Sequence, residues 1–194
     1  VFSRIRKRIG TNQLSQIFNL LKDQLKDQGL MSEVFTFVDA SHLIAKANSW
    51  EERDAVIKKK YDQLNNETLP KVAKDKQAKI GCKGGSKYWY GYKKHQSVDM
   101  QSGLINKVAV TAAKIKNVHL VAIKKNNMQE KNKDLDRWVT KIRSPYERVF
   151  SKDNKRVRYV GIAKNQFAEF MKAICFNLRR ATVIKTASLS LIMG

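Results

Sequence analysis

Residues 88–111 read YWYGYKKHQSVDMQSGLINKVAVT, and this stretch decides the fold class. Tyr88 to Val98 and Leu104 to Thr111 are rich in aromatic and β-branched residues, which suit a pleated, half-buried backbone. Asp99-Met100-Gln101-Ser102-Gly103 between them has good turn chemistry, so the two runs are expected to pair as a β-hairpin. Upstream, Val34-Phe35-Thr36-Phe37-Val38 is short, β-branched and aromatic, and reads as a buried strand that ends on Asp39. Downstream, Val118 to Ile123 reads as a further strand. Between and around these strands lie helical patterns. Leu14, Ile17, Phe18, Leu21 and Leu25 recur at helical spacing, with Thr11 as N-cap and Gly29 as the stop. Ser49-Trp50-Glu51-Glu52 has the form of a capping box opening a helix to about Leu64. Ser144-Pro145-Tyr146-Glu147 combines an N-cap serine, a proline at the first helical position and a box-closing glutamate, predicting a helix to roughly Ser151. Phe167, Phe170, Met171, Ile174 and Leu178 mark a long amphipathic helix from about Ala163 to Val183, ending in Arg179-Arg180. Lys71 to Lys87, polar and basic with Gly81, Gly84 and Gly85, reads as a flexible surface loop. The class is α/β, without an internal repeat.

The chain has 194 residues, 42% of them hydrophobic, enough for one ordinary domain with a core. Its 39 Lys+Arg against 17 Asp+Glu give a formal charge of +22. A field of that sign and size makes nucleic acid the first partner to consider, by attraction to phosphate whatever the base sequence. Charge alone argues for binding and not for chemistry. Cys82 and Cys175 stand far apart without metal-ligand spacing and read as a loop thiol and a core thiol. His42, His95 and His119 are scattered. No apolar run approaches a membrane span, so a cytoplasmic, nucleoid-associated location is expected. The chain starts on Val1 with a helix almost at once, as the remainder of something longer would.

Three segments, in this order, carry a resemblance: Phe37-Val38-Asp39-Ala40-Ser41, Tyr90-Gly91-Tyr92-Lys93-Lys94-His95, and Tyr146-Glu147-Arg148-Val149-Phe150 followed by Arg158-Tyr159-Val160-Gly161-Ile162-Ala163-Lys164-Asn165. Together they resemble the catalytic domain of bacterial insertion-sequence transposases of the DDE type, over about Arg6 to Arg180. The resemblance implies an RNase H-like fold, a central mixed sheet flanked by helices. It implies residues 1–30 as an N-terminal helical segment, 31–183 as the transposase domain and 184–194 as a tail. In that family three carboxylates hold two divalent ions, usually Mg²⁺, which activate water or a DNA 3′-hydroxyl and stabilise the leaving oxygen.

By resemblance Asp39 is the first acid and Glu147 the third, and both are metal ligands. Arg143, four positions before Glu147, matches the arginine of the family's tyrosine, arginine, glutamate, lysine signature and would contact DNA phosphate. The tyrosine position is Thr140 and the lysine position Asn154, with Lys152 and Lys155 close on either side, so the signature is half kept. Lys93, Lys94, Lys152 and Lys155 are expected at the DNA together with Arg143.

Between Ala113 and Lys114 the resemblance breaks. Family members continue there through a helix, a strand ending on the second aspartate and another helix, all missing here, so the sheet is expected to lack one central strand and its neighbouring helices. Asp99 does not substitute, being placed in the hairpin loop away from Asp39. The expectation is a DNA-binding, catalytically defective transposase remnant that self-associates as its family does. The alternative is a non-catalytic basic nucleic-acid-binding protein of unrelated fold, which accounts for the charge but not for the motifs.

Overall fold

A computed structural model of the chain describes residues 2–32, 34–45, 73–83, 87–113 and 155–193, together with 134, 137 and 140. The chain divides into two units, Val1–Lys114 with Lys155–Gly194, and Ile115–Asn154. Every element described below belongs to the first unit. In the second, Asp134, Arg137 and Thr140 are helical. The strand expected at Val118 to Ile123 and the helices expected from Ser49 and Ser144 lie outside the described residues.

The apolar period of the N-terminal segment does build a helix, α1 (Phe2–Asp27), but Gly10 at φ 71°, ψ 169° interrupts its geometry. The second helical stretch thus begins at Thr11, where the spacing predicts it. Gly29, at φ 69°, ends it. Leu30 N–H donates to the Leu25 carbonyl at 2.9 Å and Gly29 N–H to the Lys26 carbonyl at 2.8 Å, the paired bonds of a Schellman stop.

The hairpin forms as read and extends into a four-stranded antiparallel sheet. Its strands are β1 (Thr36–Ile44), β2 (Lys79–Lys83), β3 (Lys87–Asp99) and β4 (Ile105–Ala112). β3 is the spine. β1 runs along one side of it, from Thr36 opposite Asp99 to Ile44 opposite Gly91. On the other side β2 pairs with Lys87 to Gly91 and β4 with Tyr92 to Val98. Asp99 organises the turn: its carboxylate accepts from Ser102 N–H at 2.9 Å and from the Ser102 hydroxyl at 2.6 Å.

Two expectations about strands change. β1 starts at Thr36 and continues through Asp39 to Ile44, so Asp39 lies within the strand and not at its end. Ala40-Ser41-His42 carries no β-branched signal; the 13-residue β3 imposes the pairing by offering a partner for every residue up to Ile44. Gly91 permits this close approach, because a Cβ there would fall on the Leu43 carbonyl oxygen. The segment expected as a loop contains β2. Gly81 of that strand lies against the Trp89 indole, with a Cβ at its position only 2.5 Å from Cζ2.

The second helix, α2 (Ile162–Met193), starts as predicted but runs ten residues past Val183. It contains no glycine or proline, and two arginines near a helix end stabilise it by less than those residues disrupt. Phe167, Phe170 and Ala173 are buried. Phe170 meets Phe18 of α1 at 5.5 Å between ring centroids. The α2 side chains also bond the backbone of β4: Asn177 accepts from Ile105 N–H at 2.8 Å and donates to its carbonyl at 2.7 Å, and Gln166 bonds Val110 N–H and the Val108 carbonyl. Cys175, expected in the core, is exposed on this helix.

A buried carboxylate joins the remaining pieces. Asp75 receives the Tyr92 hydroxyl at 2.6 Å and Gly161 N–H at 3.1 Å on its side chain, while its carbonyl receives the Tyr90 hydroxyl at 2.6 Å. The Tyr90-Gly91-Tyr92 motif therefore serves as an anchor between the sheet, residues 73–78 and the start of α2. No described helix is long and apolar enough to cross a membrane.

Candidate functional site

Strand alternation places Asp39 on the face of β1 that carries buried Leu43, directly opposite Gln96 of β3. Its Oδ1 accepts the N–H of Ala40 at 2.8 Å. Two residues along β3 on the same face is Lys94, whose side chain is 0% exposed. Lys94 Nζ lies 3.5 Å from Glu169 Oε2 of α2, and Lys172 Nζ lies 2.7 Å from Glu169 Oε1. At 3.5 Å the first contact is an ion pair at the long end of hydrogen-bond range. Burial holds the Lys94 ammonium below its ordinary pKa; the Glu169 carboxylate opposes that, and so does the charge of Asp39. The residues around Asp39 thus include a buried cation with its own carboxylate.

This corrects one expected role. Lys94, placed on the DNA side by the sequence, is enclosed between sheet and α2, because the even-numbered residues of β3 face the core and Lys94 shares that face with Tyr92 and Val98. Lys93 occupies the opposite face, half-buried, in register with His42 and Thr111. Its neighbour His95 contacts the Thr111 hydroxyl at 3.0 Å, and burial, then the Lys93 charge, lowers the imidazole pKa. Lys155 is exposed, and its carbonyl accepts Ile44 N–H at 2.6 Å. Glu147, Arg143 and Lys152 lie outside the described residues.

Asp99 stands opposite Thr36, only three positions from Asp39 along β1, nearer than the sequence suggested. Its carboxylate is spent on the Ser102 turn and on the Ser32 hydroxyl at 3.2 Å. Among the described residues no group of three His, Cys, Asp or Glu side chains is placed to hold a metal ion.

The structure also brings together residues that sequence reasoning left apart. The Arg6 guanidinium of α1 lies over the Tyr159 ring, 4.7 Å from its centroid, and the Thr11 hydroxyl donates to the Ala163 carbonyl at 3.0 Å. Arg4, Lys7 and Arg8 are exposed on that stretch of α1, and Lys155, Arg156, Arg158 and Lys164 are exposed on the segment it meets. Neither Phe2 to Lys22 nor Lys155 to Lys164 contains an acidic residue. The result is one basic surface assembled from two segments far apart in the sequence, neither of which contains an acidic residue. Glu169 had a signal available: it falls with Gln166 and Asn177 on a polar row inside an otherwise apolar helix stripe.

No family model matches the chain, and neither the curated proteins nor the solved structures compared with it give a match.

Proposed function

We propose that the chain binds duplex DNA through the basic surface formed by α1 and residues 155–164, as a catalytically defective remnant of an insertion-sequence DDE transposase with an RNase H-like ancestry. The observation that carries the binding reading is the contact of Arg6 with Tyr159, which merges two acid-free basic segments into one surface within a chain of charge +22. The ancestry rests on the ordered motifs around Asp39, Gly91 and Glu147. The loss of activity is supported by the missing second aspartate and by the Lys94 ammonium near Asp39. Mg²⁺ would be held weakly by Asp39 and Glu147, since two carboxylates are too little charge for two ions. Binding places the protein with the nucleoid.

Measuring affinity for duplex DNA of unrelated sequences from low to physiological salt tests the reading. Affinity should fall steeply with salt and vary little with sequence. No binding at low salt sinks it. With Mg²⁺ or Mn²⁺, nicking should stay at background; robust cleavage abolished by Asp39→Ala would show that the active centre survives.

A further inference from the structure

A cavity of about 370 Å³ opens between residues 74–77 and the start of α2. Lys74, Lys76 and Lys164 line it, all three exposed. The acid among its lining residues, Asp75, is engaged inward by Tyr92, Gln77 and Gly161. The helix start does not itself supply the recognition: Gly161 N–H is taken by Asp75 and Ile162 N–H by the Gln77 side chain at 2.7 Å. What the walls offer is three lysines lining one opening, on segments joined by the bonds that fix Asp75. Through Lys164 the opening is continuous with the acid-free segment from Lys155.

We propose that this cavity seats a backbone phosphate of bound duplex DNA and anchors an otherwise diffuse electrostatic contact. The assignment rests on the DNA-binding reading above. Lysines lining one opening suit a phosphate, which presents several charged oxygens to point-charge donors without demanding the planar geometry of a guanidinium fork. It predicts that these three lysines are worth more than three others of equal formal charge.

The test compares the full chain with K74Q/K76Q/K164Q and with a charge-matched control, K107Q/R179Q/K185Q, after circular dichroism shows both folded. Losing one phosphate contact should make the slope of log affinity against log salt shallower by about 0.9 and, near ~0.1 M salt, lower affinity about tenfold. The control should change far less. Acetylation footprinting gives a second readout: duplex DNA should protect Lys74, Lys76 and Lys164 at a salt where inorganic phosphate of equal ionic strength does not. Protection by inorganic phosphate alone to the same degree would overturn DNA as the source of the phosphate. Equal losses in both variants would overturn the cavity while leaving DNA binding intact. A wild-type chain that fails to bind DNA at low salt overturns both.

Discussion

Along β4 the edge of the sheet is finished by amide side chains of α2, whereas along β1 no described strand or helix lines the edge between Thr36 and Ala40. Asn177 and Gln166 bond the outward backbone groups of Ile105, Val108 and Val110 as a neighbouring strand would. At the C-terminal end of β1, Ile44 bridges to Arg156 in parallel fashion. Between Thr36 and Ala40 no described strand pairs with that edge, and the Ala40 N–H is met by the Asp39 carboxylate next to it. Val34, Phe35 and Val38 are 72%, 71% and 61% exposed beside it. The β1 edge also carries Asp39.

The contrast can be broken most severely through α2. Glu169→Gln strands the Lys94 ammonium in the interior and should cost about 3–5 kcal/mol in denaturant unfolding, as for removing one partner of a buried ion pair. Lys94→Met should cost less, because Lys172 remains 2.7 Å from Glu169; the reverse order would mean the buried pair is not what holds the helix. Asn177→Leu leaves the N–H and carbonyl of buried Ile105 without their amide partner, about 2–6 kcal/mol at ~1–3 for each group. An undiminished unfolding midpoint for this variant would show the edge is not sealed by that amide.

On the open side, Val38→Lys should leave stability within about 0.5 kcal/mol, as at an unconstrained surface position. It should nevertheless reduce concentration-dependent self-association in sedimentation, since a charge on an edge opposes strand addition. The smallest effect belongs to His95, opposite Ala40. Its folded pKa lies below 6.5, so its stabilising contribution is present above 6.5 and is lost as pH falls through that value towards the folded one. His95→Gln should flatten stability between neutral and mildly acidic pH; an unchanged slope would assign the loss elsewhere.

The sealed and open sides were unequally legible in the sequence. The hairpin and the Thr11 to Gly29 helix announce themselves through local pattern and turn chemistry, and both form as read. β2 does not, because Lys79-Ile80-Gly81-Cys82-Lys83 has neither alternation nor β-branched density beyond one isoleucine; it is a strand because Trp89 covers Gly81. The extension of β1 through His42 likewise comes from its partner. At the candidate site, Asp39 could be singled out by motif, but the burial of Lys94 could not, since a lysine pair in a strand ordinarily belongs to solvent. Only the polar row on α2 hinted at what it meets. Arg6 and Tyr159 are 153 positions apart, and no local rule connects them.

Asp75 gives the molecule an optical reporter. Tyr90 is pushed up to about 12 by burial and then by the Asp75 charge, and Tyr92 is raised further by burial and by its hydrogen bond to the same carboxylate. In an absorbance titration these two should ionise well above the ordinary 10.0. Because their folded pKa values exceed the unfolded one, the stability they confer is complete below 10.0 and drains away as pH rises towards 12 and beyond. The late phenolate signal and alkaline unfolding should therefore arrive together, and Asp75→Asn should bring both to lower pH.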